Sequence, residues 1–343
     1  MAHLKTPKMQ KFQNKTETES ELSTPLKIPA SPFLHKIGYG TGVHVFTLER
    51  SPKVGFTRSP WAIKKVSGLG KRNPHYSKRI QIEADILRNL NHPNVVGYRG
   101  FVTDVDGMPC LAMEQLHLSL GDMIEDMVND GIAEPFPAAN ILGISFEVVK
   151  GLEYLHHEAH ILHGDVKSFN ILISKDRAKA KLCDFGVSVP LTDSLEMDVS
   201  KAQYDYIGTE CWSAPEILQD ARIVTNKADM WAFGIVVWEM ISLSLPHVES
   251  EEDSLDGSYL ENPETEPMNV PRSDSFGFCE TASRKYGTRP ALPAINLGPE
   301  YQRVLKLFHA CTDSDYKSRP SAKGVVTFFN NYVRIKAEDN YFW

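Results

Sequence analysis

The stretch His163-Gly-Asp-Val-Lys-Ser-Phe-Asn170, followed by Asp184-Phe-Gly186, constrains this chain more than any other feature. Between the two lie Ile171-Leu-Ile173 and Lys181-Leu-Cys183, short apolar runs flanking a turn, which read as a hairpin beneath the first loop. Such a hairpin would bring the two polar loops side by side. Asp165 could then accept a hydroxyl proton and Lys167 could neutralise a phosphate. Asn170 and Asp184 offer hard oxygens suited to Mg²⁺. A polar turn would account for one of these residues but not for all four.

The rest of the chain supplies matching parts. Gly38-Tyr-Gly-Thr-Gly-Val-His-Val45 lies between two strand-like runs, where glycines expose backbone amides to phosphate. Taken alone it equally fits a hairpin with a flexible tip. It also departs from G-x-G-x-x-G-x-V: Gly38, Gly40 and Val45 fit, but the third glycine falls at Gly42 and leaves Val43 where glycine is expected.

On the next strand, Trp61 to Val66, alternation puts Ala62, Lys64 and Val66 on one face and sends Lys65 the other way, toward solvent. A helix is expected over Ile80 to Leu90, with Glu83 on the same face as Leu87 and Leu90. A carboxylate on an apolar face needs a cation, and Lys64 is the candidate. Cys110-Leu-Ala-Met113 reads as another strand. Ile141, Ile144, Val148, Leu152 and Leu155 recur at helical spacing. Downstream, in Gly208-Thr-Glu-Cys-Trp-Ser-Ala-Pro-Glu216, Thr209 could hydrogen-bond near Asp165 and Lys167, and Glu216, if buried, needs a cationic partner, for which Arg319 is the candidate.

Composition narrows the classes. A net charge of −7 and a pI near 6.0 argue against a nucleic-acid binder. Five scattered cysteines fit reduced thiols in the cytoplasm and/or nucleus rather than a disulfide framework. The longest apolar run, Met230 to Leu245, carries Glu239 and reads as a buried helix, so no membrane span is expected. Residues 1–30 read as a disordered tail and about 249–285 as an acidic, solvated insertion.

These motifs together resemble the eukaryotic protein kinase family over about residues 33–334. The resemblance implies an α+β, two-lobed fold: a small antiparallel-sheet N-lobe with one main helix (about 31–114), a larger, mostly helical C-lobe (about 117–334), and a C-terminal tail over 335–343. It implies ATP and Mg²⁺ in the cleft, with Ile37, Gly38, Tyr39, Gly40, Thr41, Gly42, Val43, Val45, Ala62 and Lys64 around the nucleotide. Met113 would be the gatekeeper, and the backbone of Glu114 and Leu116 would bind adenine. Asp229 would brace the catalytic loop, and His163 would pack rather than act as a base.

Lys167, two residues after Asp165, is similar to serine/threonine kinases; dual specificity stays open, and a catalytically silent scaffold is the alternative. Ile28-Pro-Ala-Ser-Pro-Phe33, Trp61 to Lys65, His163-Gly-Asp165, Lys227-Ala-Asp229 and Gly287-Thr-Arg-Pro290 resemble the PDZ-binding kinase subfamily. That subfamily is MAP kinase kinase-like, which implies MAP kinases as protein substrates and a link to mitosis. The chain ends Tyr341-Phe-Trp343 without the usual PDZ-ligand tail, which argues against a PDZ partner. Gly164 stands where an arginine commonly grips a phosphorylated activation loop, so phosphate on Ser194, Ser200 or Tyr204 is expected not to act through that contact. Thr6-Pro7 and Thr24-Pro25 are proline-directed sites, Thr24 resembling a cyclin-dependent kinase target.

Overall fold

The computed structural model describes residues 34–40, 42–49, 59–68, 73–104, 107–201, 208–219, 223–247 and 286–339, with backbone alone at 38–40 and 332–339. Thr6, Thr24, Phe33, Thr41, Tyr204, the acidic stretch 249–285 and the terminus 341–343 lie outside the described residues.

The small lobe is an antiparallel sheet in the order β1-β2-β3-β5-β4. Its strands are β1 (His35–Gly40), β2 (Val43–Leu48), β3 (Trp61–Val66), β4 (Tyr98–Thr103) and β5 (Pro109–Glu114). β3 sits between β2 and β5, with Lys64 opposite Val45 on one side and Leu111 on the other. β4 went unforeseen: it is an edge strand, half-buried, and Arg99-Gly100 interrupts its alternation.

Against the sheet packs α1 (Pro74–Leu87). It starts earlier than the apolar spacing suggested and stops at Leu87 instead of Leu90. Asn73 caps it by accepting from the His75 amide at 3.0 Å, and Pro74 occupies the first turn, where its missing N–H costs nothing. Pro93 lies just beyond and bars a longer helix. Ile80, Glu83, Ala84 and Leu87 form its buried face.

The large lobe opens with β6 (Leu118–Ser119), α2 (Leu120–Asn129) and α3 (Ala138–His157). Ser119 and Asp122 cap α2 reciprocally. β7 (Ile161–Leu162) leads into the catalytic loop and later pairs with β10 (Val189–Pro190). β8 (Ile171–Ile173) and β9 (Ala180–Leu182) form the expected hairpin. A short α4 (Pro215–Leu218) precedes α5 (Lys227–Ser242), α6 (Gln302–Cys311) and α7 (Ala322–Asp339), which continues past Arg334.

α5 is buried from Ala228 to Ile241, so the apolar run is a core helix, and among the described residues no helix is long and apolar enough to cross a membrane. One apolar cluster runs from Ala62 and Met113 in the sheet through Val95 and Leu182 to Phe185 and Phe233. Truncating Phe233 to alanine would cost about 3–5 kcal/mol. The two lobes therefore meet on a shared core, and the chemistry-bearing loops open at its rim.

Candidate active site

The upper wall is built on β3 and α1. Ala62, Lys64 and Val66 are buried on one face of β3, as alternation requires. The Lys64 ammonium lies 2.8 Å from Glu83 Oε2 and 2.9 Å from Asp184 Oδ1. Burial opposes its charge, but Asp184 and Glu83 together outweigh that and raise its pKa above the lysine norm. Glu83 is 1% exposed, and burial pushes it up to about 7 despite Lys64. Asp184 is also penalised by burial, yet Lys64 and Lys167 hold it below the usual carboxylate range. Lys65 does point the other way, but it is not solvated: it is 18% exposed and pairs with Asp104 at 3.2 Å. Asp104, just past the end of β4, supplies that carboxylate.

The lower wall is the loop between β7 and β8, held from beneath by Asp229 in the first turn of α5. Asp229 Oδ2 accepts from the His163 amide at 2.9 Å and faces His156 Nε2 at 2.8 Å. Its Oδ1 accepts from the Gly164 amide at 3.0 Å. Burial alone would raise the Asp229 pKa; His156 and these donors lower it. Gly164 has φ +80°, a backbone state that any side chain would strain. His163 is fully buried, its ring 5.0 Å from that of Phe185 and its Nε2 3.0 Å from the Cys183 carbonyl, so it packs as expected.

Above this brace, Asp165 is the centre of a polar knot. Its Oδ1 accepts from the Thr209 hydroxyl at 2.6 Å, and its Oδ2 from Asn170 Nδ2 and the Lys167 ammonium, both at 3.0 Å. Lys167 also donates to Thr209 Oγ1 at 3.0 Å. The Asn170 amide further donates to the Asp165 carbonyl at 2.8 Å, which leaves its own Oδ1 as a ligand oxygen.

Between the walls lies a cavity of about 800 Å³. Ile37, Val43, Val45, Ala62, Met113 and Leu116 supply apolar lining, while Lys64, Glu83, Asp165, Lys167, Asn170, Asp184 and Thr209 line its polar end. Gly38, Tyr39 and Gly40 form the end of β1, and Gly42 makes the turn into β2 at φ +74°. Glu114 turns its side chain away from the cleft, accepting from Lys181 Nζ at 2.7 and 2.9 Å and from the Gly97 amide at 3.1 Å.

The polar oxygens of Asn170 and Asp184 are the hard type that Mg²⁺ takes. Among the described residues no three His, Cys, Asp or Glu side chains form a metal site of their own. A Mg²⁺ ion here would therefore complete its shell from phosphate and water, a pattern usual for this ion.

In the segment from Asp184 to Glu216, residues 184–201 and 208–216 are described. Leu191 bridges to Met197 and Glu196 to Thr225. Ser194 shares a hydrogen bond with Thr192 at 2.9 Å, and Ser200 donates to Asp198 Oδ1 at 2.5 Å. Its end is pinned as expected: Arg319 donates to both Glu216 oxygens at 2.7 Å and stacks over Trp231. One brace was missed. Glu239 accepts from the Ser168 hydroxyl at 2.6 Å and the Trp212 indole at 2.9 Å, tying the catalytic loop to this segment. A glutamate inside an otherwise apolar run was the available signal.

A family-wide profile described as "Protein kinase domain" matches residues 32–328. The chain is 43% identical over 310 residues to lymphokine-activated killer T-cell-originated protein kinase of Homo sapiens, covering 89% of this chain and 91% of that protein. It is 35% identical over 209 residues to serine/threonine-protein kinase fray1 of Dictyostelium discoideum, 61% of this chain and 33% of the relative. Over 219 residues it is 29% identical to mitogen-activated protein kinase kinase kinase 12 of Rattus norvegicus, 63% of this chain and 23% of the relative. The chain thus spans nearly all of the first relative and a third or less of the other two. Fold, cleft and similarity agree: the chain belongs to the protein kinase domain family and is an ATP-dependent protein kinase.

Proposed function

We propose that the chain transfers the γ-phosphate of ATP to serine and threonine hydroxyls of proteins, in the manner of a MAP kinase kinase acting in mitotic or stress signalling. The observation that carries the chemical part is convergence on one cavity. The Lys64 ammonium reaches Glu83 and Asp184, while Asp165, Lys167 and Thr209 face it from the other lobe.

In this reading Asp165 orients the acceptor hydroxyl and takes its proton as that oxygen bonds the γ-phosphorus. The bond from this phosphorus to the β–γ bridging oxygen breaks, and ADP leaves with the electron pair. Thr209 and Asn170 hold the carboxylate at the required angle. Lys167 stabilises negative charge on the transferring group. Lys64, fixed by Glu83, grips the inner phosphates. Asn170 and Asp184 would hold Mg²⁺, which would supply positive charge against the phosphates.

The pathway part rests on similarity to the human kinase and to a mitogen-activated protein kinase kinase kinase. The scattered cysteines support a cytoplasmic and/or nuclear location. Proline-directed phosphorylation at Thr6 and Thr24 belongs to the same mitotic reading, and phosphopeptide maps from mitotic cells test it.

The central test is Mg-ATP phosphorylation of a peptide library by the purified chain beside Asp165→Ala, with serine, threonine and tyrosine acceptors scored separately. We expect serine and threonine peptides to be labelled. Transfer no greater than that of the variant would leave the silent-scaffold reading standing instead.

A further inference from the structure

The glycine pattern of the β1–β2 turn is displaced by one residue, and the displaced glycine lies against helix α1. Gly42 holds φ +74°, and its carbonyl accepts from the Ser67 amide at 2.9 Å, which ties the turn to the end of β3. A Cβ built on Gly42 would stand 2.4–2.5 Å from the ring carbons Cε2, Cδ2 and Cζ of Tyr76. Carbon atoms pack at about 3.5–4.0 Å, so a side chain at Gly42 would have to displace the Tyr76 ring from the place it holds against the turn. Gly42 thus combines a left-handed backbone with close contact to this ring.

Tyr76 lies in the first turns of α1. Tyr76, Ile80 and Glu83 are spaced i, i+4 and i+7, so they share one helix face, and all three line the cleft. The helix that holds the Lys64 partner therefore also carries the ring that supports the turn. Arg79, beside them, reaches the neighbourhood of Gly186.

We propose that Tyr76 is a positioning residue for nucleotide binding: its ring, supplied by α1, seats the glycine turn over the phosphate end of the cleft. Turn and Lys64–Glu83 pair are then set by one rigid element. The inference rests on the cleft being the nucleotide site. A ring that holds the turn in place acts on ground and transition states alike, so its loss raises KM for ATP more than it lowers kcat.

The test uses the purified full-length chain, with ATP kinetics on a peptide acceptor and calorimetric titration of Mg-ADP. Tyr76→Ala is expected to raise the KM for ATP and weaken ADP binding roughly tenfold, with kcat changed less than about threefold. Tyr76→Phe, which keeps the ring, should match the parent. Gly42→Ala should weaken ADP binding roughly tenfold in the parent, but less than about threefold in the Tyr76→Ala background, where only backbone strain remains.

Melting curves without nucleotide check folding. Should Tyr76→Ala be too unstable to assay, Tyr76→Leu replaces it, with at least about a threefold loss of ADP affinity expected. A parent that binds ADP beside a Tyr76→Ala chain of equal or higher affinity would overturn this inference alone. A parent that binds no ADP would overturn the nucleotide reading and this inference with it.

Discussion

The cleft and the floor of the large lobe both bury charge, but they use it differently. On the floor Arg319, Asp229 and Glu239 have their polar atoms paired internally. Arg319 spends its donors on Glu216 and on the carbonyls of Asp313, Ser314 and Lys227. Both Asp229 oxygens are taken by the catalytic loop and His156, and both Glu239 oxygens by Ser168 and Trp212. In the cleft the carboxylate of Asp184 stays 41% exposed, and Asn170 lines the cavity while its side-chain nitrogen is given to Asp165. Saturated networks hold a shape; networks with spare oxygens beside a cavity are built to receive a ligand.

That contrast can be broken by mutation. The largest effect is expected for Asp165→Ala: a roughly 10³-fold loss of kcat in a peptide-phosphorylation assay, with the unfolding midpoint nearly unchanged. A variant that unfolded instead would put Asp165 with the floor.

Next comes Arg319→Ala, which strands the Glu216 carboxylate in the interior and should cost about 3–5 kcal/mol in urea unfolding. A cost below about 1 kcal/mol would mean that the floor is not saturated as described.

Glu239→Gln sharpens the comparison through pH. Burial raises the Glu239 pKa from an ordinary 4.5 to about 7, so the folded chain holds this proton more tightly than the unfolded one. Its contribution is full below about pH 4.5 and is lost as the pH rises through about 7. The variant should flatten the fall in stability between pH 5 and pH 8 by up to about 3 kcal/mol, read from urea curves across that range. Glu83 has the same sign and remains, so the slope should shrink and not vanish.

The smallest effect is expected for Lys65→Ala. Losing the Asp104 pair should cost less than about 1 kcal/mol, with the KM for ATP within about twofold of the parent.

Much of the site was legible because its chemistry is local. Asp165, Lys167 and Asn170 share one loop, and the flanking apolar triplets announce the hairpin that brings Asp184 beside them. Lys64 and Glu83 were readable as a pair because strand alternation and helix spacing each leave a charge on a buried face. What escaped was spread across distant elements. The edge strand β4 shows no clean alternation, and the Glu114–Lys181 contact joins residues 67 apart in sequence. Lys65 was misjudged as solvated because alternation gives direction but not what waits there.

Residue order alone determined the motifs whose resemblance implied the kind of fold, and it fixed which lysine faces the cleft, since strand and helix periods dictate which side chains share a face. Only the folded chain decided that Tyr76 lies against Gly42, that Glu239 joins the catalytic loop to the activation segment, and that Lys65 has a partner. Those contacts depend on how separate elements dock, and close packing at that scale has no period along the chain.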